Sequence, residues 1–337
     1  MDIPKLLSNM CGDSAENLFS ALIKPASIME KDRKKDLLNV FMNFDLDQKK
    51  IFFDTLPYSG GNEKTYFYFP PKKGNNLKYY SVSLAKNIMD FWNGKGILYN
   101  IFEMVTDCKL KKLLEECQKS ALFNEKGICE TAIQFREALG KVEFEVKRDK
   151  ADTGLYINGD KVSPDKFINL CLEDESNGKF VLIIPQIIKN GEPPICISQD
   201  EAYLTAINRS LQGKSRGSMG VCHVCGKRRN DINTVEYTTK FKDINKVFVT
   251  KIINYSSFFN RNNYNKNYSL CQSCYKKLLH GEKNVKQDYK IQVAGEDCLL
   301  LFDGLIDNID IEYLPKLSSN IDAVFNHKEF DQSIKDL

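Results

Sequence analysis

The chain has 337 residues, which at roughly 150 residues per domain predicts about two domains and excludes a small disulfide scaffold. Hydrophobic residues make up 42% and charged residues 28%, a balance that excludes disorder as the main character of the chain. The formal net charge of +3 by itself predicts no nucleic-acid partner, but it says nothing about where the charge sits.

Taken in chain order, Met1 to Met10 lacks the apolar core of a signal peptide, and no later stretch reaches the roughly 20 apolar residues that span a bilayer. The longest candidate, Phe180 to Ile188, is interrupted by Pro185 and Gln186. The expectation is a soluble, cytoplasmic protein with no membrane partner. Ser14 to Lys24 has a helical pattern ended by Pro25. Phe52 to Tyr58, Tyr66 to Phe69 and Lys78 to Ser83 are dense in aromatic and β-branched residues and read as a meander, with turns at Ser59-Gly60-Gly61-Asn62 and Pro70 to Asn76.

Leu110, Leu113, Leu114 and Cys117 predict one helix, and Ile128, Ala132, Ile133, Phe135 and Leu139 predict a second, closed by Gly140. Val142 to Val146 alternates like a strand, and Leu155 to Val162 carries an Asn158-Gly159 hairpin turn. Ser163 and Pro164 supply the cap and first turn of a helix running to about Asp174. Phe180 to Ile184 reads as a buried strand, and Ser198 with Glu201 as a capping box for a helix through Leu211. Strands and helices mixed without a regular βαβ rhythm predict an α+β fold. Cys108, Cys117 and Cys171 lie in apolar contexts and read as buried thiols.

The charge is strongly polarised. Leu211 to Lys290 holds sixteen Lys/Arg and five Asp/Glu, a window of +11, so the remaining residues carry −8. Within it, Cys222-His-Val-Cys225 and Cys271-Gln-Ser-Cys274 are two C-x-x-C knuckles separated by 45 residues. Each knuckle turns two thiolates to one side of a tight loop, and two knuckles complete a tetrahedral sulfur site for zinc with no position left for catalysis. Gly226 is placed to turn the chain back, a helix opens at Cys274 and Tyr275 with Gly281 to close it, and Lys227, Arg228 and Arg229 offset the site's negative charge. Four reduced core cysteines and a redox pair are the competing readings. The repeated spacing argues against the first, and the absence of a thioredoxin-type βαβ context against the second. His223 reads as a solvent-facing or supporting residue, and His280 as a partner for helix-end carbonyls.

The 45-residue insert holds nine Lys/Arg, three Asp/Glu and eight aromatics: Tyr237, Phe241, Phe248, Tyr255, Phe258, Phe259, Tyr264 and Tyr268. Cations neutralise phosphates and aromatics stack on bases, although about half of such aromatics are needed simply as core. Candidate nucleic-acid contacts are Lys227, Arg228, Arg229, Lys251, Arg261 and Lys266, joined by Lys72, Lys73, Lys214 and Arg216 from turn-rich segments. For single lysines the competing reading is a plain solvated side chain. The sequence lacks H-E-x-x-H, G-x-S-x-G and a Walker-type phosphate loop, and with three histidines a His-based nuclease centre has little to draw on, so no enzyme activity is expected.

Gly220-Val-Cys-His-Val-Cys-Gly-Lys227 and Leu270-Cys-Gln-Ser-Cys-Tyr-Lys-Lys-Leu-Leu-His-Gly281, flanking an aromatic and Lys-rich insert, resemble the zinc region of the large subunit of type I-B CRISPR interference complexes (Cascade). The resemblance implies zinc on Cys222, Cys225, Cys271 and Cys274. It also implies a non-catalytic subunit that sits beside the CRISPR RNA 5′ handle, recognises the protospacer-adjacent motif on double-stranded DNA and aids duplex opening. Its partners would be the backbone, handle-binding and small subunits of Cascade and a recruited helicase-nuclease. The expected organisation is an α+β N-terminal body over 1–210 and an inserted basic four-cysteine zinc module over 211–295. A return segment over 296–337 would lead toward the C-terminal helical bundle usual in the family. The alternatives are a stand-alone zinc-ribbon adaptor that binds nucleic acid without a guide, and a zinc-stabilised nuclease.

Overall fold

The computed structural model describes residues 3–11, 23, 25, 26, 28, 35–68, 80–106, 108–149, 152–212, 217–232, 269–293 and 296–301. The chain divides into two units, one over Leu22–Arg209 and one joining Met1–Ala21 to Ser210–Leu337. The first helix, α1 (Ile3–Asn9), belongs to the latter. The helix expected over Ser14 to Lys24 lies almost wholly outside the described residues.

The larger unit is organised by a strand that the sequence pattern does not announce. β1 (Leu37–Asp45) is central, with β2 (Lys50–Pro57) antiparallel on one side and the long β9 (Lys179–Ile188) parallel on the other. Alternate side chains of β1 bury Val40, Met42 and Phe44 on one face, while Phe41 joins Tyr66, Tyr68, Val82 and Leu182 on the opposite one. A strand covered on both faces reads as a continuous apolar run without a period of two, which conceals it.

The strand expected over Tyr66 to Phe69 does not form over Tyr66–Tyr68, which follow the single helical turn α2 (Asn62–Thr65); Phe69 lies outside the described residues. Gly61, with φ of 103°, starts that helical turn, and Phe67, with φ of 52°, breaks extended geometry after it. The buried Glu63 fixes the turn by accepting hydrogen bonds from Tyr58 Oη and Ala26 N, both at 2.5 Å. Of the strand expected over Lys78 to Ser83, only Ser83 is in a strand, the two-residue β3 (Ser83–Leu84), which pairs with β9; Lys78 and Tyr79 lie outside the described residues.

A 3-10 stretch (Ala85–Phe91) leads to α3 (Gly96–Met104), then to α4 (Lys109–Lys119), the first of the two expected helices. Cys108 caps α4, its sulfur accepting from Lys111 N at 3.3 Å, while Cys117 and Cys171 are buried as anticipated. The second expected helix does not form. In its place stand the tight hairpin of β4 (Phe123–Asn124) with β5 (Gly127–Ile128) and two 3-10 turns, Glu130–Ala132 and Glu137–Leu139. Gly127 adopts φ of 100° with its Cα side pressed on Phe91 O, where a Cβ would approach to 2.4 Å. Downstream, Gln134 N bonds to Ile51 O at 2.8 Å, so this segment spends its backbone groups on the sheet edge instead of on a helix.

β6 (Phe144–Asp149), β7 (Asp152–Ile157) and β8 (Asp160–Val162) form a three-stranded meander turned at Asn158 (φ 52°) and Gly159 (φ 86°), the pair that the sequence marks. α5 (Pro164–Cys171) follows, capped by Ser163 Oγ on Lys166 N at 3.3 Å and ending before Asp174. Pro185 lies in β9 between the residues that pair with β3 and those that pair with β10 (Ile195–Cys196), where no ladder partner is required on that edge.

α6 (Glu201–Gln212) is capped by Asp200, whose Oδ1 accepts from Ala202 N at 2.9 Å; Ser198, expected as the cap, is buried one turn earlier against Cys196 Sγ. Among the described residues no helix is long and apolar enough to cross a membrane.

The second unit holds β11 (Ser218–Val221) paired with β12 (Arg228–Ile232), α7 (Gln272–Asp288) and the hairpin of β13 (Lys290–Val293) with β14 (Glu296–Leu299). α7 runs through Gly281 instead of stopping there. The glycine serves close packing: a Cβ on it would lie 1.7 Å from Leu7 O of α1. Asn284 Nδ2 completes the contact by donating to Met10 O and Cys11 O at 3.0 and 3.1 Å.

Candidate metal centre

Both knuckles sit where a strand or loop turns sharply. β11 ends at Val221, Cys222 N donates to Lys227 O at 3.0 Å, and Gly226 N donates to Cys222 O at 2.8 Å with Gly226 at φ of 67°. The second knuckle opens α7, with Cys271 at its N-cap and Tyr275 N donating to Cys271 O at 3.0 Å. Together these turns bring the sulfurs of Cys222, Cys225, Cys271 and Cys274 to within 4.8 Å of one another, with all but Cys225 buried. Four sulfurs at ~2.3 Å from a central zinc are ~3.8 Å apart, so the donor set has the composition and nearly the dimensions of a tetrahedral thiolate site.

The electrostatics of the cluster call for a cation. Burial opposes ionisation of Cys222, but hydrogen bonds from the backbone at Cys225, Cys271 and Val224 outweigh it and lower that thiol. Cys271 and Cys274 are raised, first by burial and also by the charge of Cys222. One thiolate therefore forms readily and disfavours the next, a repulsion that a bound divalent ion removes.

Side chains outside the cluster lock the two knuckles together. His223 N donates to Ser269 O at 2.8 Å, and Ser269 N donates to His223 Nδ1 at 2.5 Å, so the exposed His223 ties the first knuckle to the residue two before Cys271. Asp231 of β12 does the same from the other side. Its Oδ2 accepts from Gln272 N at 3.1 Å, satisfying an N-terminal donor of α7, and its Oδ1 accepts from Arg229 Nε at 3.2 Å. Burial opposes ionisation of Asp231, but these bonds hold its carboxyl below the usual range. The stabilisation is thus present above the ordinary carboxylate pKa and is lost as pH falls through the depressed value.

Asp231→Ala is expected to weaken metal binding by about 10- to 100-fold, read by competition with a chelating dye, because it releases both the helix terminus and Arg229. His280, expected at a helix end, is buried in the middle of α7.

Of the ten basic residues singled out for nucleic-acid contact, Lys227, Arg228 and Arg229 are exposed around the first knuckle. Lys227 and Arg228 project from the turn and the start of β12, whereas Arg229 is held by Asp231. Lys72, Lys73, Lys214, Arg216, Lys251, Arg261 and Lys266, with all eight insert aromatics, lie outside the described residues.

Residues 219–336 match the family model described as the central domain of CRISPR-associated protein TM1802. The matched stretch contains all four cysteines and most of the +11 window. That stretch is thus similar to a CRISPR-associated domain. No curated protein and no solved structure matches the chain.

Proposed function

We propose that this chain is a non-catalytic large subunit of a type I-B CRISPR RNA-guided surveillance complex, contacting the protospacer-adjacent motif of invading DNA and aiding duplex opening. The observation that carries the reading is the four-cysteine cluster, set in a strongly basic window inside a stretch that matches a CRISPR-associated family model. Zinc on Cys222, Cys225, Cys271 and Cys274 would hold the module, supplying structural cross-linking. Four thiolates fill a tetrahedral shell and leave no position for a reactive water, which supports a binding role over a hydrolytic one. Lys227 and Arg228 are then suited to DNA phosphates, and the cytoplasm is the compartment in which reduced thiolates and CRISPR RNA meet.

The test is a gel shift with the chain reconstituted alongside CRISPR RNA and its partner subunits. Binding is expected to depend on the adjacent motif and to weaken with salt at a slope of about 0.9 per phosphate neutralised, Lys227→Ala with Arg228→Ala lowering that slope by about 2. Binding indifferent to motif and salt, or metal-dependent cleavage by the isolated chain, overturns the reading.

A further inference from the structure

The hairpin next to the first knuckle has two unlike faces. Gly220 is turned inward, 3.6 Å from the side chain of buried Ile232 at the position a Cβ would take. Met219 and Val221 point to the other face and are 69% and 56% exposed, the two most exposed large hydrophobic side chains among the described residues. Val221 is paired with Arg228, so a cation stands beside this apolar pair, with Lys227 in the adjoining turn. An exposed apolar strip rimmed by cations calls for an occupant that is both aliphatic and acidic.

The chain itself contains such a segment. Beyond Lys290 the charge reverses: residues 291–337 hold ten Asp/Glu and three Lys/Arg. Within them, Asp303-Gly-Leu-Ile-Asp-Asn-Ile-Asp-Ile-Glu-Tyr-Leu314 interleaves four acids with five Leu or Ile residues and has no base. It lies outside the described residues and follows β14, in the same unit as the hairpin. Reach is no obstacle. α7 separates the knuckles from β13 by ~25 Å at 1.5 Å per residue, and the eight residues from Leu300 to Asp307 can span up to ~28 Å.

We propose that the segment Asp303 to Leu314 docks on the Met219, Val221 and Arg228 face of the β11–β12 hairpin, its aliphatic side chains covering the strip and its carboxylates engaging Arg228 and Lys227. The regulatory consequence rests on the nucleic-acid reading above: the segment would compete with DNA phosphates for the same cations. A surface covered nine-tenths of the time binds its ligand about tenfold more weakly.

The docking is tested first without nucleic acid. A photo-crosslinking benzoylphenylalanine in place of Met219 in the full chain, at low salt, is expected to yield intrachain crosslinks to 303–314. Asp307→Asn with Asp310→Asn and Glu312→Gln should abolish them. Crosslinks to a second copy, crosslinks elsewhere in the chain, or none in protein of normal circular dichroism overturn the docking. The same triple substitution, in a crosslinker-free chain, is expected to raise affinity for a 24-base-pair DNA duplex about tenfold. Unchanged affinity in a chain that binds the duplex overturns the competition. A chain that binds no duplex under either condition, yet crosslinks as expected, overturns the nucleic-acid reading alone.

Discussion

Cys274→Ser is expected to reduce bound zinc from one ion per chain to none and to unfold the segment around both knuckles. The element that carries the first knuckle is meagre without a metal. β11 and β12 make a two-stranded hairpin of four and five residues, an arrangement marginal by itself in water. Among the described residues, the buried apolar side chains of the hairpin and its knuckle turn are Val224 and Ile232. Structural zinc contributes on the order of 10 kcal/mol to small sites of this kind, far more than such a core supplies.

The measurement is zinc released per chain on thiol modification, together with limited proteolysis, which should cut within 217–232 in the variant and not in the parent. Cys298→Ser is the control, since that thiol lies outside the cluster and should leave both readouts unchanged. A chelator should reproduce the variant's cleavage pattern. Acidification should do likewise: burial and the Cys222 charge raise Cys271 and Cys274, so protons compete with the metal ever more strongly as pH falls. Full zinc content in Cys274→Ser sinks the assignment.

The four-cysteine cluster was legible because C-x-x-C is a local geometry repeated with one spacing, and metal chemistry limits what two such turns can do. Its supports were not. Asp231 reaches Gln272 across 41 positions and His223 reaches Ser269 across 46, contacts that exist only once the hairpin and α7 are brought together. Arg229 shows the cost of reading charge alone. In sequence it is the third of three equivalent cations, whereas in the structure Asp231 holds its guanidinium, leaving Lys227 and Arg228 as the outward pair.

The fold divides along the same line. Features fixed by neighbours in sequence are where the pattern puts them: the Asn158-Gly159 turn, the Ser163 and Pro164 start of α5, and the amphipathic α4. Features decided by distant partners were lost. β1 has its alternation masked by burial on both faces, and the helix periodicity from Ile128 to Leu139 is overridden by Gly127 packed on Phe91 O and by Gln134 bonding to Ile51. Ile128, Ala132 and Ile133 still face inward while Leu139 is exposed, so a helical period is only one way of delivering apolar residues to a core.

What holds that overridden segment is an aromatic cluster, and Phe167→Ala is expected to destabilise the Leu22–Arg209 unit by about 3–5 kcal/mol. Phe167 has no exposed surface and lies on α5. Its ring meets Phe53 of β2 edge-on at 5.9 Å, Trp92 at 6.1 Å, Phe135 at 6.1 Å and Phe144 of β6 at 5.0 Å. One side chain thus joins the main sheet, the 3-10 stretch after β3, the non-helical segment and the meander. Truncation leaves a cavity bordered by four rings on separate elements, none of which can close it without moving the others.

Trp92 is the only tryptophan in the chain, is buried, and donates from Nε1 to Ile128 O at 3.0 Å. Its fluorescence therefore reports this cluster. In urea, Phe167→Ala should move the Trp92 transition to lower denaturant, while Phe167→Leu, which keeps most of the volume, should cost less than about 1.5 kcal/mol. Equal shifts for the two variants would mean that ring geometry, and not filled volume, holds the four elements together. A shift below about 1 kcal/mol for Phe167→Ala would mean that the surrounding rings collapse inward and that Phe167 is not the junction its contacts describe.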